Sequence, residues 1–353
     1  MQKGIPLSKL VNKVDEQSLA KRDFMVNTEA IRMLANGKEL QIDGGQIENL
    51  RYKISKTTHR QLGNHLDIPA KYYDKLLNQF PSLLAQNVNT WLHSERTSQV
   101  VRTLDYAKID IDGENLVRAF LSSQYRPIDN SCIKSELLPL IKKMGGKIKS
   151  CNITETHLYI HAAFPDVKSS ITKNEDITNG IIIRNSEVGL SALKIQPWLQ
   201  TSLKGNGIII PDTSIKKYHV GKSRISSDLA YEINEEKSGK NNNPDLWSQI
   251  KQIVLETLDE SVFEKTINSF SKKTRRKIAE PEKSVKLITN LFTLTSDESN
   301  QMLKAMFASD DFSKWGVANA IASLAHNVNS YDRAVEYQEI AGRVMELPNK
   351  NWS

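Results

Sequence analysis

The chain has 353 residues, and its 48 lysines and arginines outnumber its 41 aspartates and glutamates, so the formal net charge is +7. No apolar run approaches the ~20 residues of a membrane helix, which excludes a membrane-spanning protein. The first residues hold no apolar signal segment, so we expect a cytoplasmic protein. The positive charge favours a polyanionic partner such as nucleic acid.

Residues 1–95 predict a mixed region of helices and one hairpin. Strand-like runs flank Gly44-Gly45, a pattern typical of a hairpin turn. Helices are predicted at 57–66, 69–80 and 83–92. Pro69 suits the first turn of the second helix, and Pro81 separates the second from the third.

Residues 96–238 change to a period of two, which predicts strands. The predicted strands are 97–105, 107–111, 116–122, 147–153, 157–164, 180–185 and 188–198. One helix, at 131–143, interrupts them. Short turns such as 111–114 favour an antiparallel sheet with this helix packed on one face, and therefore an α+β fold.

Residues 239–353 predict a C-terminal helical domain. The segment from Gly239 to Pro244 has the composition of a linker. Beyond it, apolar residues keep helical spacing, and Thr295 with Glu298 forms a capping-box pattern. The chain is therefore predicted to divide into three parts, at residues 1–95, 96–238 and 239–353.

Cations and aromatic side chains are dense where the strand at 116–122 meets the helix at 131–143. Single-stranded nucleic acid needs cations along its phosphates and flat side chains under its bases. We assign phosphate contacts to Arg118, Arg126, Arg184 and Lys194, and base support to Tyr125 and Trp198. The complete predicted site is Arg118, Tyr125, Arg126, Arg184, Lys194, Trp198, Lys204, Lys216, Lys217, Lys222 and Arg224. An auxiliary basic patch is predicted at Lys272, Lys273, Arg275, Arg276 and Lys277.

A purely structural interpretation of the same corner stays open. Tyr125, Asp129 and Asn130 also suit a turn that closes a strand and caps a helix. Under that interpretation Arg118 and Arg126 are the sharper functional candidates.

Motifs for catalysis or cofactor binding are missing from the sequence. It has no phosphate-binding loop, no dinucleotide fingerprint and no nucleophile elbow. His157 and His161 share one strand face but lack a third ligand at a recognisable spacing, and Cys132 and Cys151 are not at metal-binding spacing. We therefore expect no catalytic residue, no cofactor and no metal.

The segment Arg118-Ala-Phe-Leu-Ser-Ser-Gln-Tyr-Arg-Pro-Ile-Asp-Asn130 occurs together with further motifs at residues 69–74, 185–189, 205–207, 218–221, 315–320 and 331–334. In this order they resemble the motifs of a phage- and plasmid-borne family of unknown function that includes the prophage YfjQ-like proteins, and the segment from Arg118 to Asn130 is similar to the main signature of that family. The resemblance implies a bacterial host cell. Leu203 departs from the family pattern, which has a cysteine there. The family implies no activity, but a sheet crossed by one helix is similar in architecture to single-strand annealing proteins of the Rad-fifty-two and Red-beta type.

Three functions remain open from the sequence. The first is a single-strand DNA-binding and annealing recombination protein of a phage or mobile element, which pairs strands without ATP and works as a homo-oligomeric ring or filament. The second is a mobile-element protein that binds and inhibits a host or phage protein, with a host single-strand-binding protein or a nuclease as possible partners. The third is a metal-dependent DNA enzyme that uses acids such as Asp105 or Asp129.

Overall fold

The structure is a computed structural model that describes residues 4–45, 47–125, 128–172, 175–202, 205, 207–211, 230–232, 244–274, 278–348 and 352. These residues form the predicted α+β architecture, in which helices pack on two separate β-sheets. Within these ranges no helix is both long enough and apolar enough to cross a membrane.

The first part of the chain alternates helices with short strands. Its elements are α1 (Leu7–Ala20), β1 (Lys21–Asn27), β2 (Ile31–Met33), β3 (Glu39–Gly44), β4 (Ile47–Ile54), α2 (Lys56–His65), α3 (Ala70–Gln79), α4 (Pro81–Glu95), β5 (Ser98–Leu104), β6 (Leu116–Ser122) and α5 (Asn130–Lys143).

The second part begins with strands and ends with helices. Its elements are β7 (Lys147–Ile153), β8 (Leu158–Thr172), β9 (Glu175–Asn185), β10 (Lys194–Thr201), β11 (Gly207–Ile209), β12 (Ala230–Glu232), α6 (Pro244–Thr257), α7 (Glu260–Thr274), α8 (Pro281–Phe292), α9 (Ser296–Ser309), α10 (Lys314–Leu324) and α11 (Tyr331–Glu346).

Local sequence sets several of these boundaries. The Ser55 side chain accepts a hydrogen bond from the Thr58 backbone N–H and so begins α2. Pro81 occupies the first turn of α4, where its missing N–H costs nothing. The predicted capping box of Thr295 and Glu298 is confirmed at the start of α9.

The first sheet has seven strands in the order β12-β1-β5-β6-β4-β3-β2. The pair β4 and β6 is parallel, and the other pairs are antiparallel. Helices α2, α3 and α4 supply Leu62, Tyr73 and Leu84 to a core shared with Phe24 and Leu40. The predicted division at residues 95 and 96 falls inside this sheet, because β1 pairs with β5 and β4 pairs with β6.

The second sheet has five antiparallel strands in the order β11-β10-β9-β8-β7. One face packs against α1, α5 and α6 through residues such as Leu10, Ile133 and Trp247. The other face packs against α11 through Tyr331 and Val335. This sheet, with α5 across one face, matches the arrangement predicted for the central region only in part, because the predicted strands at 97–105 and 116–122 belong to the first sheet as β5 and β6.

The strand predicted at 107–111 is wrong: Tyr106–Ile109 is a 3₁₀ turn, which ends where Asp110 adopts a left-handed conformation with φ of 51°. The predicted division at residues 238 and 239 lies outside the described residues.

Candidate functional site

The strand–helix corner at residues 116–130 is a buried ion-pair network. Arg118 is 7% exposed, and its Nη1 atom lies 2.9 Å from Oε2 of Glu187, which is equally buried. A buried guanidinium paired in this way cannot contact a phosphate backbone without breaking the pair. The structure therefore does not present the predicted residue Arg118 to a nucleic acid, because Glu187 neutralises its charge inside the protein.

A second buried arginine, Arg102 on β5, organises the rest of this network. Its guanidinium is within 3.1 Å of the Asp23 carboxylate at both Nε and Nη2, and Nη2 also lies 2.8 Å from Oδ1 of Asp129. The other oxygen of Asp129 accepts a hydrogen bond of 2.9 Å from Lys21 Nζ. Burial opposes the charged form of Arg102, but its three carboxylate neighbours, Asp23, Asp129 and Glu187, raise the guanidinium pKa well above its ordinary value.

Two of the sequence motifs meet in this network. The Asn130 backbone N–H donates to Oε1 of Glu187 at 2.8 Å. Nδ2 of Asn185 donates to Oδ1 of Asn130 at 2.9 Å and to the Ile128 carbonyl at 2.7 Å. These bonds join the end of β9 to the start of α5 across 55 residues of sequence. Asn130, Asn185, Glu187 and the residues bonded to them thus connect the two sheets. We call this set of residues the sheet joint.

The other predicted residues that the structure describes do not form an open groove with Arg118. Trp198 is fully buried, and its Nε1 donates to Oε1 of Gln338 at 3.0 Å, so it has no exposed ring face on which the predicted base could stack. Tyr125 is half-buried at the sheet joint, where its hydroxyl donates to the Ser186 carbonyl at 3.3 Å. Burial raises the pKa of Tyr125 to about 12. We therefore assign Tyr125 to the joint and not to a base-binding surface.

Arg184 and Lys194 lie on the other sheet, at paired positions of β9 and β10. Both are half-buried, and Arg184 Nη1 is 3.1 Å from Oε1 of Glu339 on α11. They therefore share a site with each other but not with Arg118.

Much of the predicted basic site falls outside the described residues: Arg126, Lys204, Lys216, Lys217, Lys222 and Arg224, and from the auxiliary patch the side chain of Lys273 together with Arg275, Arg276 and Lys277. Lys272, near the end of α7, is described and exposed.

A polar cluster beside Arg184 forms where the start of β8, the loop before β10 and the start of α11 meet. His157, just before β8, has Nε2 at 3.1 Å from the Ser191 hydroxyl oxygen. Its Nδ1 lies 3.7 Å from Oδ1 of Asp332, near the start of α11. The Tyr159 ring stacks on the His157 ring, and the Tyr159 hydroxyl donates to the same Asp332 oxygen at 2.7 Å. Burial, with a contribution from Arg184, lowers the pKa of His157 to about 4, so its ring is neutral at physiological pH.

The predicted histidine pair does not converge. His161 is fully buried against the Trp198 ring, and its Nδ1 is 3.2 Å from the Tyr331 hydroxyl. Burial lowers the pKa of His161 to about 3. In the parts of the chain that are described, no three His, Cys, Asp or Glu side chains are placed to hold a metal ion. Asp105, a candidate acid for a DNA enzyme, is instead paired with Arg22 at 3.0 Å.

A surface on α3 and α4 combines exposed aromatic rings with exposed lysines. Tyr72 is 49% exposed, Phe80 52% and Trp91 41%. Lys71 and Lys75 are exposed on α3. We call these five residues the α3–α4 surface. Asp74, the acid on α3, is held by Arg60 at 2.7 Å, so it does not offset the two lysines.

The sequence held a signal for this surface. Tyr73 and Leu76 on α3, and Leu84, Val88 and Leu92 on α4, take the core positions at helical spacing. Tyr72 and Trp91 each lie one residue, about 100° around the helix, from a core position. Their exposure follows once the inward face of each helix is assigned.

Comparisons of the chain with family models, with curated proteins and with solved structures find no match.

Proposed function

We propose that this protein binds single-stranded DNA on the α3–α4 surface and promotes strand pairing without ATP, as a homo-oligomeric recombination protein of a phage or mobile element in the bacterial cytoplasm. The observation that carries the proposal is that α3, α4 and the residue between them expose three aromatic rings and two lysines. Aromatic rings stack on bases of any sequence, and lysines follow the phosphates. The proposed DNA-binding site therefore lies on α3 and α4 and not at the sheet–helix corner.

The distribution of charge supports a polyanionic partner. The sheet joint and its neighbours contain four cations, at Lys21, Arg22, Arg102 and Arg118, and four carboxylates, at Asp23, Asp105, Asp129 and Glu187. These charges cancel, so the whole net charge of +7 is carried by the remainder of the chain. A surplus of this kind raises the local concentration of a polyanion and its rate of association.

Oligonucleotide binding tests the proposal directly. We would measure fluorescence anisotropy of a labelled oligothymidine with the wild type, with Tyr72→Ala/Trp91→Ala and with Lys71→Glu/Lys75→Glu. Loss of one stacked base costs about 1–3 kcal/mol, so the aromatic variant should bind at least about fivefold more weakly. The lysine variant should lose both affinity and salt dependence.

A matched control is available at the end of α5. Lys142 and Lys143 are also exposed neighbouring lysines on a helix, and Lys142→Glu/Lys143→Glu makes the same change in total charge. This control should lose much less affinity than the α3 lysine variant. Unchanged affinity in both α3–α4 variants, or a loss confined to the control, would contradict the assignment.

Strand pairing and protein binding separate the proposed function from its main alternative. The rate at which complementary labelled oligonucleotides anneal should rise with the protein, and mass photometry should detect a homo-oligomer on the DNA. Tight binding of a host single-strand-binding protein or nuclease to the α3–α4 surface, with no annealing, would instead support the alternative function, in which the protein binds and inhibits a partner protein.

A further inference from the structure

Ser191, His157 and Asp332 lie in the relative order of a serine nucleophile, its base and a nearby acid. The Ser191 oxygen is 3.1 Å from Nε2 of His157, and Nδ1 on the other side of the ring faces Oδ1 of Asp332 at 3.7 Å. In hydrolytic triads the serine faces Nε2 and the acid faces Nδ1, and such triads are recognised by these roles and not by fold or order in the chain. The arrangement is independent of the α3–α4 surface.

The imidazole is held in one orientation by its neighbours. The Thr156 hydroxyl oxygen lies 2.9 Å from Nδ1, and the Tyr159 ring stacks on one side at a centroid distance of 5.6 Å. With the proton on Nδ1, that N–H faces Thr156 and Asp332, and the lone pair of Nε2 faces the Ser191 hydroxyl. This is the tautomer that accepts a proton from serine.

Asp332 is fixed by donors from the sheet. The Tyr159 hydroxyl donates to its Oδ1 at 2.7 Å, and the Thr154 hydroxyl donates to the same atom at 3.2 Å. The carboxylate therefore stays beside the ring on which positive charge develops when His157 takes up a proton. Ser191 and His157 are half-buried, so both retain contact with solvent.

Two cations border the cluster and define the charge of the substrate. Arg184 on β9 is the cross-strand partner both of Tyr159, whose ring stacks on His157, and of Lys194 on β10. Both cations lower the pKa of His157. Arg184 pairs with Glu339 through Nη1, but its buried Nε has no hydrogen-bond partner among the described residues. A buried N–H without an acceptor is costly and favours an anionic group of a ligand at this position.

We propose that Ser191 is the nucleophile of a hydrolytic site for carboxylic esters that carry an anionic group, with His157 as general base and Asp332 as the residue that orients it. The Ser191 oxygen forms a bond to the ester carbonyl carbon while its proton moves to Nε2 of His157. The carbon–oxygen bond of the ester breaks, and the leaving alkoxide takes that proton as the alcohol departs. Water then cleaves the acyl-serine by the same route and releases the carboxylic acid.

Covalent labelling tests the nucleophile without knowledge of the natural substrate. The full-length protein would be treated with a fluorophosphonate probe, and the modified peptide would be identified by mass spectrometry. We expect modification at Ser191, no labelling of Ser191→Ala, and labelling at least about a hundredfold slower in His157→Gln, since this base contributes two to four orders of magnitude. Ser170→Ala is the matched control, because Ser170 is bonded to an aspartate, with 2.8 Å between Oγ and Asp176 Oδ1, but the bonded pair includes no histidine.

A second variant and a substrate comparison complete the test. Ser191→Cys keeps a nucleophile in place and should react with iodoacetamide faster than the same cysteine in a His157→Gln background. The wild type should hydrolyse 4-nitrophenyl hydrogen glutarate with a higher kcat/KM than 4-nitrophenyl acetate, and Arg184→Gln should remove that preference. Labelling at another residue, labelling that persists in Ser191→Ala, or equal reactivity of the cysteine in both backgrounds would overturn the proposal. Oligonucleotide binding by these variants is expected to be unchanged, so failure here leaves the proposed function intact.

Discussion

Arg102 and Asp129 form an ion pair with 2.8 Å between Nη2 and Oδ1, and each side chain is only 2% exposed. The pair links β5 of the first sheet to the segment that begins α5 on the second sheet. A charged group this deep is tolerated only when its partners remain in place. The position of the two sheets relative to each other therefore depends on this arginine.

Replacement of Arg102 by methionine should destabilise the protein strongly. The change leaves the buried Asp129 and the half-buried Asp23 without their main cation, and breaking a buried pair in this way costs about 3–5 kcal/mol. Urea denaturation would measure the free energy of unfolding. Arg96→Met is the matched control, because Arg96 is 76% exposed and pairs with Glu29 at the surface, where an ion pair contributes about 0–1 kcal/mol. Equal effects of the two substitutions would contradict the role of Arg102.

A close approach of α11 to β11 gives a second prediction. A Cβ atom on Gly342 would lie 1.8 Å from the Ile209 carbonyl oxygen, so the helix cannot keep its position with a larger residue. Gly342→Ala should lower the free energy of unfolding by about 1–3 kcal/mol or more, the range typical of overpacking. Gly205→Ala is the comparison, because a Cβ there meets nothing within 4 Å and only its left-handed φ of 58° is penalised. A smaller loss in Gly342→Ala than in Gly205→Ala would contradict this packing.

Buried histidines predict a loss of stability in mild acid. Burial lowers the pKa of His161 to about 3 and the pKa values of His59 and His157 to about 4, whereas an unfolded histidine titrates at about 6.5. Between those limits the unfolded state binds more protons, so stability is complete above about pH 6.5 and falls as the pH decreases toward 4. At pH 5 each histidine should account for about 2 kcal/mol of that loss.

His161→Gln isolates one of these contributions. The free energy of unfolding of the variant, measured between about pH 7 and pH 5, should fall less steeply than that of the wild type. The difference between the two slopes should correspond to the uptake of up to about one proton on unfolding. The glutamine retains a polar group opposite the Tyr331 hydroxyl, so the comparison rests on the slope and not on the value at neutral pH. An identical slope in both proteins would show that His161 is not kept neutral by the fold.

Periodicity in the sequence predicted several elements closely. The strands at Leu116–Ser122 and Lys147–Ile153 match their predicted bounds because their alternation is regular. Strand β1 was not predicted, since Lys21, Arg22 and Asp23 interrupt its apolar pattern. Those charges pair with residues far along the chain: Lys21 with Asp129 at the start of α5, Arg22 with Asp105 and Asp23 with Arg102.

The location of the proposed DNA-binding site could not be predicted either, because sequence patterns do not show contacts between residues that are far apart in the chain. Sequence identifies Arg118 as a cation but does not contain the distance from Arg118 to Glu187, which lies 69 residues away and neutralises it. Ser191 and His157 are likewise 34 residues apart and share no local motif. The family resemblance and the annealing function stay predictions. Experiments can first address DNA binding at the α3–α4 surface.

The salt dependence of oligonucleotide affinity tests the central claim most directly. Release of counterions from contacted phosphates makes the logarithm of the affinity fall linearly with the logarithm of the salt concentration. For the wild-type protein and a labelled oligothymidine, we expect the affinity to fall about tenfold or more between about 50 and 200 mM salt. Absence of binding at low salt, or an affinity that barely changes over this range, would contradict the claim that the protein binds single-stranded DNA.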